Sequence, residues 1–415
     1  MAEPTAYEQL FLELINRARL DPAAEAQRTG VALSSISATQ KQPLAFNSKL
    51  NDAADAHSAW MLATDTFSHT GSGGSDPAQR MAAAGYTGIS TWGENIAWNG
   101  TTGGLDVTAS VLSQHANLFR SSGHRANILS DSFKEIGIGS QTGSFAGYNA
   151  LMTTQDFARS GTGSFVTGVA YTDNNGDAFY SVGEGSGGIQ MQLLSGASVL
   201  GTTSTWGSGG YSLKTTATGD LTVKFSGGGL VQAVGASIAQ GTFNAKVDLV
   251  NSNTIQSSVT ATLEFAARNL KLLGINDTDG AGTAGANNIA GNKGDNLLEG
   301  LAGNDVLRGG QGTDLLDGGS GADRLFGSAG NDTLTGGAGA DTFVFLGMFG
   351  NDRIADFQDG SDKIRFLNAA GFDFSDAAIT GNGTSAVHVS FGGGTVDVTG
   401  VSPITLSAAD FEFLA

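Results

Sequence analysis

The sequence predicts a multidomain chain: an N-terminal α/β domain, a middle β-sandwich and a C-terminal stack of short strands and turns. Three observations predict it. Helical and strand periodicities are mixed over residues 1–160, which also hold four of the five histidines. Alternating strand-like runs broken by glycines fill residues 165–250. From Gly282 a nine-residue period runs to 344. Residues 251–281 read as a connector and 345–415 as a further β region.

The N-terminal region opens with an amphipathic pattern over 7–19, followed by helical patterns at 50–64 and 107–119. Strand-like runs follow at 135–139 and 150–158. Several strings in this region resemble the CAP superfamily, also called SCP/PR-1. They are Leu14-Ile15-Asn16-Arg17-Ala18-Arg19, Phe67-Ser68-His69-Thr70, Gly93-Glu94-Asn95-Ile96-Ala97, Ser122-Gly123-His124-Arg125-Ala126-Asn127-Ile128-Leu129 and Ile136-Gly137-Ile138-Gly139. Their order and spacing agree across the domain. The resemblance implies an α-β-α sandwich whose central cleft is lined by two histidines and two glutamates. His69, Glu94 and His124 take three of those places; His115 is set in the fourth, with Glu135 in reserve. His57, on a helix of core-facing residues, is expected in the core. Three imidazoles and a carboxylate suit a divalent transition metal such as zinc, or acid–base work near neutral pH. No Gly-x-Ser-x-Gly elbow lies near these histidines, no His-Glu-x-x-His occurs, and cysteine is absent. A ligand-binding role is therefore expected ahead of a metal-dependent hydrolase or an adhesive surface protein.

The middle region follows a Gly/Ser-rich joint at 159–163. Its loop Asp173-Asn174-Asn175-Gly176-Asp177 with Glu184 has the ligand spacing of a calcium loop: Asp173, Asn175, Asp177 and Glu184. Ala178 stands where such loops carry glycine. The loop resembles those of sandwich modules in bacterial surface proteins.

In the C-terminal array, units begin at Gly282, Gly291, Gly300, Gly309, Gly318, Gly327 and Gly336. Position eight is always apolar: Ile289, Leu298, Leu307, Leu316, Leu325, Leu334, Phe343. Position six is Asp305, Asp314, Asp323, Asp332 and Asp341 in five units, and Asn287 and Asn296 in the first two. Glycine permits sharp turns, the apolar side chain fills a narrow interior, and aspartate supplies the hard oxygen that calcium prefers. A flexible linker has no reason to hold these positions in phase. The pattern resembles the RTX repeats, which implies a calcium-filled parallel β-roll. Residues 350–364 resemble the region after the repeats in serralysin-type proteases, and Asp410–Ala415 resembles an uncleaved type I secretion signal.

Formal net charge is −18, and 17 acidic against 6 basic residues lie in 282–415. That excludes nucleic acid as an expected partner. No apolar run is long enough for a membrane-spanning helix, and nothing at the N-terminus reads as a signal peptide. The expectation is export by type I secretion machinery to the extracellular medium, where calcium neutralises the array and a lipid, peptide or cell-surface ligand meets the first domain.

Overall fold

The computed structural model describes residues 3–369, 372–392 and 394–414. The chain divides into two compact units, Met1–Ala233 with Gln240–Ser252, and Val234–Ala239 with Asn253–Ala415.

The first unit opens with α1 (Ala6–Leu20), started by a capping box between Thr5 and Glu8, and α2 (Pro22–Thr29), capped by Asp21. Then come β1 (Ala45–Phe46), α3 (Ser48–Ala63), α4 (Pro77–Ala83), β2 (Ile89–Thr101), α5 (Val107–Arg120), α6 (Ser122–Ile128), β3 (Glu135–Phe145) and β4 (Tyr148–Ser160). The four strands form one sheet in the order β1-β3-β4-β2, antiparallel except for the β1–β3 pair. Side chains alternate across it. Ile136, Ile138 and Phe157 meet Phe11, Leu14, Phe119 and Ile128 on one face. Ala158 meets Leu50, Ala53, Met81 and Tyr86 on the other. This is the expected α-β-α sandwich, with α3 and α4 on one side and α1, α2, α5 and α6 opposite.

Next along the chain are β5 (Ser164–Tyr171), β6 (Gln190–Ser195), β7 (Ser198–Ser204), β8 (Gly210–Thr215), β9 (Gly219–Ser226), β10 (Val234–Gln240) and β11 (Ala245–Val250). Here β5 pairs between β8 and β11, and β6 between β7 and β9. Tyr211 and Phe225 close the space between them edge to face at 5.6 Å. This module is not a loosely tethered neighbour of the sandwich. Lys246 of β11 pairs with Glu13 of α1 at 2.8 Å and also with Asp248, all three buried. Asn244 donates to the carbonyls of Pro43 and Lys134 at 2.9 and 2.7 Å. The polar face of α1 is therefore covered too, which is why Gln9 and Glu13 are buried on an otherwise amphipathic helix.

In the second unit, β10 pairs with β13 (Ala261–Phe265), and β12 (Thr254–Ser257) with β14 (Asn269–Leu272). Beyond them run β15 (Gly280–Ala281), β16 (Asn288–Ala290), β17 (Leu297–Glu299), β18 (Val306–Gln311), β19 (Leu315–Asp317), β20 (Arg324–Ala329), β21 (Thr333–Thr335), β22 (Thr342–Leu346), β23 (Asn351–Ile354) and β24 (Lys363–Leu367). Alternate strands stack in parallel: Leu307 on Leu325 along one face, Leu298 on Leu316 along the other. Two nonapeptides thus make one coil. All seven position-eight side chains are 0% exposed, as are Ile354 and Ile364, which continue the rows.

Segment 251–281, expected as a connector, forms β12 to β15 and contributes the first turns of the roll. Leu270 aligns with Ile289 and Gly280 with Leu298, so the coil is under way before the glycine–aspartate signature begins. Past the repeats come β25 (Ala378–Thr380), β26 (Thr384–Phe391), β27 (Gly394–Ile404) and β28 (Phe411–Phe413). β27 pairs with β23, and β28 with β24. Of the C-terminal signal expected over 410–415, Ala415 lies outside the described residues.

Candidate functional site

Glu94 sits on β2, an edge strand of the sandwich sheet, and its side chain is 1% exposed. His69, on the loop after α3, places Nδ1 2.7 Å from Oε1 of Glu94. Arg80 of α4 grips the other oxygen through Nη2. Its Nη1 donates to the carbonyls of His69 and Ser75 at 3.0 and 2.9 Å, so one guanidinium fixes both the glutamate and the histidine loop. Asp156 of β4 is the direct cross-strand partner of Glu94 and is fully buried. Burial, and then the charge of Glu94, push its carboxyl well above the usual range, which favours the protonated form of Asp156 beside Glu94.

His124 enters from α6 and is half-buried. Burial, and then the neighbouring His69, lower its pKa. Asn127 ties α6 to β2 by donating to Glu94 O at 3.2 Å and Asn95 Oδ1 at 2.9 Å. Gly93 makes that approach possible, since a Cβ there would lie 2.8 Å from Asn127 Oδ1 and 2.9 Å from Phe133. The result is a locked carboxyl behind an imidazole that is 54% exposed at its side chain. Such a pair can hydrogen-bond a ligand or move a proton.

In the middle module, the carboxyl of Asp173 accepts from Gly176 N and Ala178 N, and that of Glu184 from Asn174 N and Ser181 N. Asn175 and Asp177 accept from the amides two residues on. Ala178 adopts φ 56°, the left-handed conformation in which calcium loops use glycine.

The roll repeats one arrangement. Oδ1 of Asp305, Asp314, Asp323, Asp332 and Asp341 accepts from the backbone N–H 18 residues earlier, at 2.7 to 2.9 Å. Oδ2 of each, and of Asp352, is buried without a partner. Burial, and then the nearby aspartates after the opposing backbone bond, push Asp314 and Asp352 up to about 7. At Gly300 a Cβ would lie 2.6 Å from Asp305 Oδ2 and 2.5 Å from Gly318 O, so a carboxylate oxygen and a main-chain carbonyl converge on one spot. An oxygen-lined, cation-deficient ladder of this kind fits calcium. Asn287 and Asn296 close their turns differently: their amides donate to the carbonyls of Arg268 and Thr278, supplying the N–H that a carboxylate lacks.

Residues 12–157 match the Cysteine-rich secretory protein family, and residues 281–316 and 317–354 match the RTX calcium-binding nonapeptide repeat. The chain carries a CAP domain and an RTX roll. No curated protein matches it. Among solved structures it is similar to an extracellular SCP-domain protein of Bacillus anthracis, at 23% identity over 37% of this chain, with TM-score 0.25. The match spans 40% of that protein's length. An outer surface protein of Borrelia burgdorferi aligns at 14% identity over 39% of this chain and 97% of its own, with TM-score 0.26. A subunit of a mannuronan C5-epimerase from Azotobacter vinelandii aligns at 28% identity over 33% of this chain and 77% of its own, with TM-score 0.19. The CAP domain here is held without disulfides, since the chain has no cysteine.

His69, Glu94 and His124 come together in the CAP domain. His115 does not join them: its Nε2 is 3.0 Å from Glu25, and its ring is buried between Phe11 and Phe119. On α5 it faces α1 and α2, so it holds the core. Glu135 is likewise committed, accepting from Asn47 and Tyr86 at 2.7 Å. Glu94 itself is not free to ligate a metal, because both of its oxygens are taken and Arg80 already sets a fixed positive charge there. Among the described residues no three His, Asp or Glu side chains gather to hold a metal by themselves; in the roll, main-chain carbonyls lie beside the carboxylate oxygens. Arg80 and Asp156 are the site residues that sequence reading missed.

Proposed function

We propose that the protein is a secreted calcium-binding protein whose RTX roll becomes ordered on calcium outside the cell, and whose CAP domain binds a ligand or partner, a lipid, peptide or target surface, at the edge formed by His69 and His124. The buried, unpartnered Oδ2 atoms of Asp305, Asp314, Asp323, Asp332, Asp341 and Asp352 carry this reading. Calcium supplies the positive charge these oxygens lack; the chain supplies carboxylates, carbonyls and an apolar seam that positions them. In a calcium-poor cytoplasm the segment stays open, which suits passage through type I secretion machinery. The loop at Asp173, Asn175, Asp177 and Glu184 takes a further calcium, with Ala178 bearing the strain that glycine would relieve.

Circular dichroism and limited proteolysis of the full chain, with calcium and with chelator, test the proposal. Calcium should bring β signal and protection to residues beyond 253. An equally ordered and protected roll in chelator would overturn it. A hydrolase reading has one observation in its favour, the exposed imidazole of His69 against a fixed carboxyl. It predicts turnover of ester or peptide substrates that is lost in His69→Ala with the fold kept.

A further inference from the structure

The CAP domain has a second pocket that the cleft does not account for. It lies between α3 and α4, with a volume of about 410 Å3, within the range of small-molecule sites. Ala53, Ala56, Ala83, Ala84 and the ring of Trp60 give it an apolar body. His57 and Arg80 furnish its polar end, with Ser72, Ser75 and Asp52 also on the wall.

Two atoms at that end are unsatisfied. The His57 ring stacks on Trp60 and places Nε2 2.9 Å from the carbonyl of Ser68. A carbonyl only accepts, so the proton is on Nε2 and Nδ1 is a bare acceptor. Nδ1 is buried with no partner. Burial, and then the charge of Arg80, hold His57 below its ordinary pKa, which keeps the ring neutral. Arg80 uses Nη1 and Nη2 on the His69 and Ser75 carbonyls and on Glu94, while its Nε–H is buried and unpartnered. A 90%-buried guanidinium and a 99%-buried imidazole, both on residues that line the pocket, thus carry one unmet donor and one unmet acceptor.

Gly71 lies against the polar residues of this end. Its φ of −98° suits any residue, so no backbone conformation demands glycine. A Cβ there would instead lie 3.2 Å from His57 Nδ1, 3.1 Å from Arg80 Nη1 and 3.0 Å from Ser75 Oγ. A side chain there would press on all three.

We propose that the pocket between α3 and α4 binds an apolar alcohol, whose hydroxyl accepts from Arg80 Nε–H and donates to His57 Nδ1. A hydroxyl is the single-atom group that does both. A carboxylate has no proton for Nδ1 and meets Asp52 at the wall; an ammonium cannot accept and meets a guanidinium. The site shares Arg80 with the cleft but does not rest on the cleft's proposed role.

The test uses the full chain with calcium and three probes: octan-1-ol, octanoate and octylammonium, read by tryptophan fluorescence and ligand-observed NMR. Octanol should bind saturably and about tenfold or more tighter than either ion. The fluorescence response should vanish in Trp60→Phe while the NMR signal remains. Gly71→Ala, at the polar end, and Ala56→Leu, at the exposed rim, should each weaken octanol binding about tenfold with circular dichroism unchanged. His69→Ala should leave it unaltered. Equal binding of all three probes, wild-type affinity in both Gly71→Ala and Ala56→Leu, loss of octanol binding in His69→Ala, or no octanol binding at all would overturn the proposal; the last would mean that water alone satisfies the two atoms.

Discussion

The CAP domain and the RTX roll both bury carboxyl groups, and they neutralise them in opposite ways. In the CAP domain the partners are built into the chain: Arg80 and the His69 imidazole for Glu94, Arg17, Arg28 and the His115 imidazole for Glu25, Lys246 for Glu13. In the roll, six aspartates turn an oxygen inward and no side chain answers it. A region that carries its own cations folds in any medium. A region that borrows them folds where they are supplied.

The largest effect should come from calcium removal. Chelator should unfold the roll and leave the CAP domain standing, read by proteolysis with the two regions mapped separately. Loss of both together would break the contrast. Second, Lys246→Met strands Glu13 and Asp248 in the interior and should cost the first unit about 3–5 kcal/mol in denaturant melts, with calcium affinity unchanged. Third, Asp314→Ala removes one oxygen from the middle of the ladder. It should raise the calcium midpoint and lower the cooperativity of ordering, while the melt of the CAP domain stays in place.

Protonation sharpens the comparison, because the signs differ. Asp314 and Asp352 are raised from 3.8 to about 7. A raised carboxyl stabilises the fold below its unfolded pKa and loses that contribution as pH climbs through the folded value. The calcium-free roll should therefore gain order between pH 7 and 4. With calcium the trend should reverse, since protons compete for the same oxygens. Glu25 behaves oppositely. Burial opposes its ionisation, but His115 and Arg17 hold it down at about 2. Its contribution is present above 4.5 and fades as pH falls toward 2. The smallest effect is expected at Ala178: glycine there relieves a left-handed alanine, worth about 1 kcal/mol, and should tighten calcium at the middle loop.

Much of this was legible in the sequence, for reasons that differ by region. Position eight of each repeat was readable because a narrow solenoid demands one apolar side chain per half-turn, and all seven are buried. His69, Glu94 and His124 were readable because each sits in a string that also builds its own backbone setting. Arg80 and Asp156 were not. One lies on a short helix and the other on a strand, and only the sheet register sets Asp156 beside Glu94. His115 misled because helix spacing fixes a side chain's heading only once the helix is docked, and α5 turns it toward Glu25. The start of the roll was hidden because β12 to β15 keep the stacking and lack the glycine–aspartate signature. His57 was expected in the core and is buried; its second nitrogen, the one without a partner, has no signature in sequence.

The ladder in the roll has a polarity. Each aspartate secures an amide one coil earlier, and the last of them, Asp362, secures Asp341 N with one oxygen while its other is capped locally by Gln358 N at 2.8 Å. The row that ends at Asp362 is thus closed locally, whereas the row that ends at Asp352 keeps one oxygen without a partner. Assembly can propagate from the C-terminal end like a zipper closed from its stop. Shortening the array from its front would leave the remaining teeth meshed; trimming the tail would leave the leading tooth with nothing to catch.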